Sequence, residues 1–276
     1  MTDEQTGHLV VCPTPIGNLE DVTLRVLSAL READVVACED TRRTRVLLDR
    51  YGVKARLVSY HEHNEKGRAS ELVRRMREGA VVALVSDAGM PLISDPGFLL
   101  VRGCVAAGLP VEVLPGPSAA ITALVASGLP ADEWHFHGFL PRKKGELRRV
   151  VTEVGGTLVA FESPRRVPGT LALLAELDPR REVAVCRELT KAHEEIVRGS
   201  AADLAARYAD APPKGEVVLV LGPTSEAGDG AGDPAGLDAL RRLVDAGAHP
   251  RKAAAVVAEL TGGSANALYR ALTARD

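Results

Sequence analysis

Five short apolar runs in the first 114 residues, each followed by a segment of helical period or by turn residues, constrain this chain more than any other feature. HLVVC (8–12), DVVAC (34–38), ARLVS (55–59), AVVALV (80–85) and VEVL (111–114) are too short for helices and mostly lack in–out alternation. That is the pattern of strands covered on both faces. Leu19, Val22, Val26, Leu27 and Leu30 share one helical face, and further helical patterns surround Leu72–Val73–Met76 and Phe98–Ala107. Buried strands alternating with helices predict a parallel α/β sheet.

After LPGPS (114–118) the texture changes. Ser118 is placed to cap a small-residue helix, AAITALVAS. Strands are then expected at WHFHGF (134–139), TLVAF (157–161), EVAVC (182–186), EEIVRG (194–199) and EVVLVL (216–221), with a helix at 200–209. The expected organisation is a first α/β domain over 1–117, a second with a more mixed sheet over 118–222, a Gly/Pro/Asp-rich linker over 223–236 and a helical module over 237–276. Breaks at Ala248–Pro250 and Gly262–Gly263 divide that module into three short helices.

Hydrophobic content of 46% with 26% charged residues is that of a globular chain, and no apolar run approaches the roughly 18 residues of a membrane span. The opening MTDEQTGHLVV has no basic n-region, so no secretory signal is expected. Cys12, Cys38, Cys104 and Cys186 lie far apart with no CxxC, which predicts reduced core thiols in a cytoplasmic protein and neither structural zinc nor disulfides. A net charge of −3 leaves any nucleic-acid role to local basic patches.

Four loops follow strands: PTPIGNLED (13–21), EDTRRTRVLL (39–48), SDAGMPLISDPG (86–97) and PGPSAA (115–120). In an open α/β sheet such loops converge on the ligand. None is a GxGxxG or GxxxxGK[ST] cradle, and the third carries Asp87 and Asp95 but no Lys or Arg. A neutral or cationic ligand with an adenine-like part suits them better than a polyphosphate. Any one alone is equally readable as a simple turn.

TPIGNLEDVTLR, ACEDTRRTRVLL, HEHNE, LVSDAGMPLISDPG, VLPGPSAAITALVASGL, FHGFLPRKKGE, FESPRRV, CRELTKAHEEIVRG and KGEVVLVLG occur in this order between about residues 8 and 222. In these strings the chain resembles the small-subunit ribosomal RNA cytidine-2′-O-methyltransferases of the tetrapyrrole methylase superfamily, and its C-terminal module resembles that group's helical tail. The resemblance implies two α/β domains with S-adenosylmethionine in a cleft between them, a homodimer, no metal, and ribosomal RNA or an assembled small subunit as partner. It carries Pro15, Ala88, Gly89, Met90, Pro91, Ile93, Ser118, Ala119, Phe161 and Glu162 over as cofactor-lining positions, with Leu189 and Gly215–Glu216 as secondary members. Met90 stands where tetrapyrrole-modifying relatives carry an aspartate.

Methylating a ribose hydroxyl calls for a proton acceptor, and Asp40 is the candidate, with Glu39 its rival. Asp40 is equally readable as a helix cap. Arg42 and Arg43 are candidates for flanking phosphates, and His61, His63, Glu65, Lys191 and Glu194 are further polar candidates. RKKGELRR (142–149) holds five basic residues against one acid. Arg142, Lys143, Lys144 and Arg148 are therefore RNA-contact candidates, as are Arg251 and Lys252 in the tail. Two other readings stay open: a methylase of a tetrapyrrole precursor, and a non-catalytic RNA-binding assembly factor.

Overall fold

A computed structural model describes residues 7–224, 234–261 and 265–273. By contacts the chain divides into two units, 1–123 with 187–195, and 124–186 with 196–276. The division falls at 123/124 rather than 117/118, and the loop after the eighth strand belongs by its contacts to the first unit.

The first unit runs β1 (Leu9–Val11), a 3-10 turn (Leu19–Asp21), α1 (Leu24–Glu32), β2 (Val35–Cys38), α2 (Thr41–Arg50), β3 (Leu57–Ser59), α3 (Glu65–Arg77), β4 (Val82–Leu84), α4 (Phe98–Ala106), β5 (Val111–Val113) and into α5 (Ala119–Ser127). Its sheet has the order β3-β2-β4-β1-β5, and all its pairs are parallel. The two-residue period sends side chains to opposite faces. Val10, Cys12, Val36, Cys38, Ala83 and Val85 pack with Leu27 and Leu30 of α1 and Leu47 and Leu48 of α2. Leu9, Val11, Val35, Ala37, Val82 and Leu84 pack with Leu72 and Met76 of α3 and Leu100 and Cys104 of α4. Both faces are thus covered, which is why these runs read as continuous rather than alternating.

The single helix expected over Leu19–Leu30 is divided. Asn18 Oδ1 accepts from Glu20 N at 3.1 Å and caps the 3-10 turn, while Thr23 Oγ1 accepts from Val26 N at 3.1 Å and starts α1 afresh. Two side-chain caps within six residues offer the backbone a better local solution than a continuous helix. Leu19 and Val22 still reach the α1–α2 core.

The second unit contains β6 (Trp134–Phe139), α6 (Lys144–Glu153), β7 (Thr157–Glu162), α7 (Val167–Leu177), β8 (Glu182–Arg187), β9 (Glu195–Ser200), α8 (Ala201–Tyr208) and β10 (Val217–Leu221). Its sheet order is β6-β7-β10-β8-β9, with β6 parallel and β10 antiparallel to β7, so the sheet is mixed. Three further helices follow: α9 (Pro234–Asp245), α10 (Pro250–Thr261) and α11 (Ala265–Thr273). They close on a small core of Leu240, Ala253, Ala254, Val257, Ala258 and Leu268. Most of the expected linker, 225–233, and the Gly262–Gly263 break lie outside the described residues. Pro234–Gly236, expected as linker, opens α9.

All four cysteines are buried and outside any disulfide. Burial pushes the Cys12 thiol up to about 12. Among the described residues no helix is long and apolar enough to cross a membrane, and no cluster of His, Cys, Asp and Glu is arranged to hold a metal ion.

Candidate functional site

In the first sheet, the connection leaving β1 runs toward β2 on one side, and the connection leaving β4 runs toward β5 on the other. The carboxyl ends of the adjacent strands β4 and β1 therefore flank a topological switch point, where open α/β sheets bind ligands. The four strand-end loops meet around it. Thr14 and Gly89 form an antiparallel bridge, N to O at 2.9 Å in both directions, joining the first and third loops. Asp40 N donates to Asp87 Oδ1 at 2.9 Å, joining the second and third. A Cβ on Gly116 would lie 2.5 Å from Pro13 Cγ, so the fourth loop lies against the first.

Gly89 has φ +77, a conformation that favours glycine, and Ser86 Oγ donates to its carbonyl at 3.1 Å. Leu92 and Ser94 also lie at positive φ, +73 and +66. Left-handed backbone on residues that disfavour it clusters where surroundings over-determine a loop, typically at ligand sites. Pro15 and Pro91 are buried, Ile93 is 41% exposed, and Met90, half-buried, packs against the α3–α4 core. Ser118 takes the N-cap place of α5, its carbonyl accepting from Thr122 N at 2.9 Å.

The polar side of this cluster is acidic, and its carboxylates differ sharply. Asp40 caps α2 through Arg42 N at 2.8 Å, and Arg42 Nε and Nη2 lie 3.0 and 2.7 Å from its two oxygens. These bonds to Arg42 hold its carboxyl down to about 2. Glu39 moves the other way, raised by burial and by Asp87. Burial, reinforced by Glu39, pushes Asp95 up to about 6. Of the two acids proposed from sequence, Asp40 is thus the weaker proton acceptor and Glu39 the stronger. Asp95 joins Glu39 in a way no spacing indicated. Arg43 Nε lies 3.6 Å from Asp87 Oδ2, and both Arg42 and Arg43 are otherwise largely exposed.

HEHNE proves to be two devices. Glu65 Oε1 accepts from Tyr60 Oη and from Gly97 N and Leu99 N, at 3.1, 3.1 and 3.2 Å, so it caps α4 from another helix. Asn64 Oδ1 accepts from His61 N at 2.9 Å, which turns its Nδ2 toward Ser59 O and His61 Nε2, both at 3.2 Å. His61 Nε2 must then accept, placing the ring proton on Nδ1, a buried atom with no protein partner. His63 stacks edge-on against it, centroids 5.8 Å apart.

The segment 187–195 completes the first unit. Glu188 and Thr190 have φ +51 and +67, and Asn18 N donates to Thr190 Oγ1 at 3.1 Å. Lys191 Nζ pairs with Glu188 Oε1 at 2.9 Å. Its Cγ would lie only 2.4 Å from a Cβ on Gly17. Sequence reasoning named Lys191 but missed this seat. Its one visible signal was a glycine inside PIGN.

The remaining candidates lie in the second unit. Glu162 is 2% exposed, accepting from Ser163 N at 2.7 Å and Thr170 Oγ1 at 2.8 Å, with Arg166 Nη2 at 3.4 Å. Its carboxylate is engaged inside that unit. Phe161 stacks edge-on with Phe136 and Phe139. Lys143 pairs with Glu146, and Lys144 and Arg148 both pair with Glu176, leaving Arg142 exposed and outside these pairs. In the C-terminal helices Arg251 lies over the Tyr269 ring at 5.3 Å, and Lys252 is exposed.

Residues 8–205 match the profile of the tetrapyrrole (corrin/porphyrin) methylases. The chain belongs to the tetrapyrrole methylase family. Residues 231–275 also match a profile described as the RsmI C-terminal HTH domain. A family relative from Mesorhizobium japonicum named ribosomal RNA small subunit methyltransferase I is 48% identical over 96% of this chain and 90% of its own length. One of the same name from Thermotoga maritima is 45% identical over 78% of this chain and 98% of its own length. Among solved structures, uroporphyrin-III C-methyltransferase from Thermus thermophilus superimposes with a TM-score of 0.55 at 25% identity, over 78% of this chain and 94% of that one. The methylase family thus accounts for the α/β architecture and the loop-lined switch point.

Proposed function

We propose that this chain transfers a methyl group from S-adenosylmethionine to the ribose 2′-hydroxyl of a cytidine in small-subunit ribosomal RNA. The observation that carries the reading is similarity over nearly the whole chain, C-terminal helices included, to a protein named ribosomal RNA small subunit methyltransferase I. The loop cluster of the first unit fits that cofactor. Gly89, buried at φ +77 and bridged to Thr14, holds the third loop against the first, Pro15, Pro91 and Ile93 supply apolar walls, and Glu39, Asp87 and Asp95 present carboxylates that favour a cation. When bound, the cofactor supplies a methyl group on a cationic sulfur.

The remaining chemistry belongs to the chain. A ribose hydroxyl is a poor nucleophile until its proton has somewhere to go. Glu39, with its raised affinity for protons, is the acceptor we favour, and Asp95 is its neighbour in the same field. Asp40 holds Arg42 and the start of α2, which fixes the approach of the two arginines to RNA phosphates. We place the enzyme in the cytoplasm, as a homodimer acting on the assembled small subunit.

The test is transfer of tritiated methyl from S-adenosylmethionine to purified small subunits and to their naked RNA, followed by nucleoside chromatography. Label in 2′-O-methylcytidine is expected. Label in a tetrapyrrole precursor instead, or cofactor binding without any transfer, would overturn the assignment. Glu39→Gln should lower kcat more than Asp40→Asn.

A further inference from the structure

Three phenylalanines share one face of the second unit's sheet, and one of them is left in solvent. In β6 and β7 the register runs Phe136↔Val159 and then Phe139↔Phe161, so three steps on β6 match two on β7. Gly138, at φ +71, sits in that one-residue bulge. Without it Phe136 and Phe139, an odd number of residues apart, would point to opposite faces. With it both rings stand edge-on to Phe161, at centroid distances of 5.1 and 5.5 Å. This face is the one opposite Leu158 and Ala160, which face the main core of the unit. Phe139 nevertheless remains 62% exposed, with a ring held in place on one side and open on the other.

The chain leaving Phe139 is clamped. Arg166, itself paired with the buried Glu162, donates to the carbonyls of Leu140 and Pro141. Arg142 follows at once, exposed and outside the ion pairs that engage Lys143, Lys144 and Arg148. Three residues of chain span at most about 10 Å, so ring and guanidinium can reach one nucleotide or two neighbours. A fixed aromatic ring beside an uncommitted cation is the pattern that recognises an unstacked base and its phosphate.

We propose that Phe139 is a stacking platform for an unpaired base of the RNA substrate, with Arg142 holding an adjacent phosphate and Arg166 positioning both. This rests on the reading of the chain as an RNA methyltransferase. A bare apolar contact would make the ring's size sufficient, whereas stacking needs its π-face.

Steady-state methyl transfer to small subunits by the full-length protein tests it, comparing Phe139→Ala, Phe139→Leu and Phe139→Trp. Loss of base–aromatic stacking should lower kcat/KM by roughly 5- to 150-fold in the Ala and Leu variants, carried mainly by KM. Phe139→Trp should stay near wild type, and cofactor affinity by calorimetry should be unchanged in all three. A Leu variant as active as wild type overturns the platform, since size alone would then suffice. So does loss of cofactor affinity in Phe139→Ala, which would assign the ring to the cofactor, or loss of an oligomer in light scattering, which would assign it to self-association. Arg166→Lys should raise KM without changing cofactor affinity. If wild type itself transfers no methyl to subunits or their RNA, the enzyme assignment fails, a result separate from any of these.

Discussion

Gly17→Ala probes the contact between the first strand-end loop and the segment 187–195. An added Cβ would stand 2.4 Å from Lys191 Cγ, 2.8 Å from Thr190 Oγ1 and 2.9 Å from Leu189 O, where carbon contacts normally begin near 3.5 Å. The lysine stem can swing aside. The Leu189 carbonyl cannot do so easily, because it lies between two residues already at positive φ. Overpacking of this kind costs about 1–3 kcal/mol. Loss of the bond from Asn18 N to Thr190 Oγ1 adds about 0.5–1 kcal/mol at this exposed place. Alanine's smaller unfolded-state entropy returns about 0.4–1 kcal/mol. The net expectation is a destabilisation of about 1–3 kcal/mol, read from the urea midpoint at constant m. Methyl transfer should fall by roughly tenfold if about 1.4 kcal/mol of the strain displaces the loop in the folded enzyme. Adding Lys191→Ala removes the nearest obstacle but not the carbonyl, so it should restore part of the stability and not all. A Gly17→Ala protein with wild-type stability and activity would refute the contact, and full restoration by Lys191→Ala would refute the role of the carbonyl.

Asp95 binds a proton more tightly folded than unfolded, so between about pH 4 and 6 the folded state holds more protons and stability falls as pH rises. Asp95→Asn should therefore gain on the order of 1 kcal/mol at pH 7.5 by urea unfolding and nothing at pH 3.5, while activity drops. An equal gain at both pH values would contradict the burial argument. Arg181 is 2% exposed, its Nε and Nη1 donating to Gly222 O and Val151 O at 2.7 and 2.6 Å, and burial lowers its pKa to about 10. Arg181→Leu leaves two buried carbonyls without donors and should cost about 2–5 kcal/mol, seen as a lower urea midpoint. Gly67, Gly145 and Gly169 lie in helices with open space where a Cβ would go. Alanine at each should raise stability by about 0.5–1 kcal/mol without changing activity, measured by thermal unfolding. Removing residues 225–276 should leave a cooperative unfolding transition and cofactor binding intact while raising KM for the subunit.

Much of this protein was already legible in its residues. The apolar runs mark the strands because β-strands covered on both faces admit little else, and the Pro/Gly loops after them mark the ligand end of the sheet. Asp40 as a helix cap followed from local chemistry alone. Tertiary structure decided what each charge is worth. Asp40 and Glu39 are adjacent in sequence, yet Arg42 lowers one pKa while burial and Asp87, 48 residues beyond Glu39, raise the other. No spacing shows that Glu65 caps α4, that Gly17 seats Lys191, or that a bulge at Gly138 brings Phe139 over to Phe161. Periodicity records which face of a local element is buried. Proton affinity, backbone strain and close contacts are sums over neighbours that only the folded chain brings together.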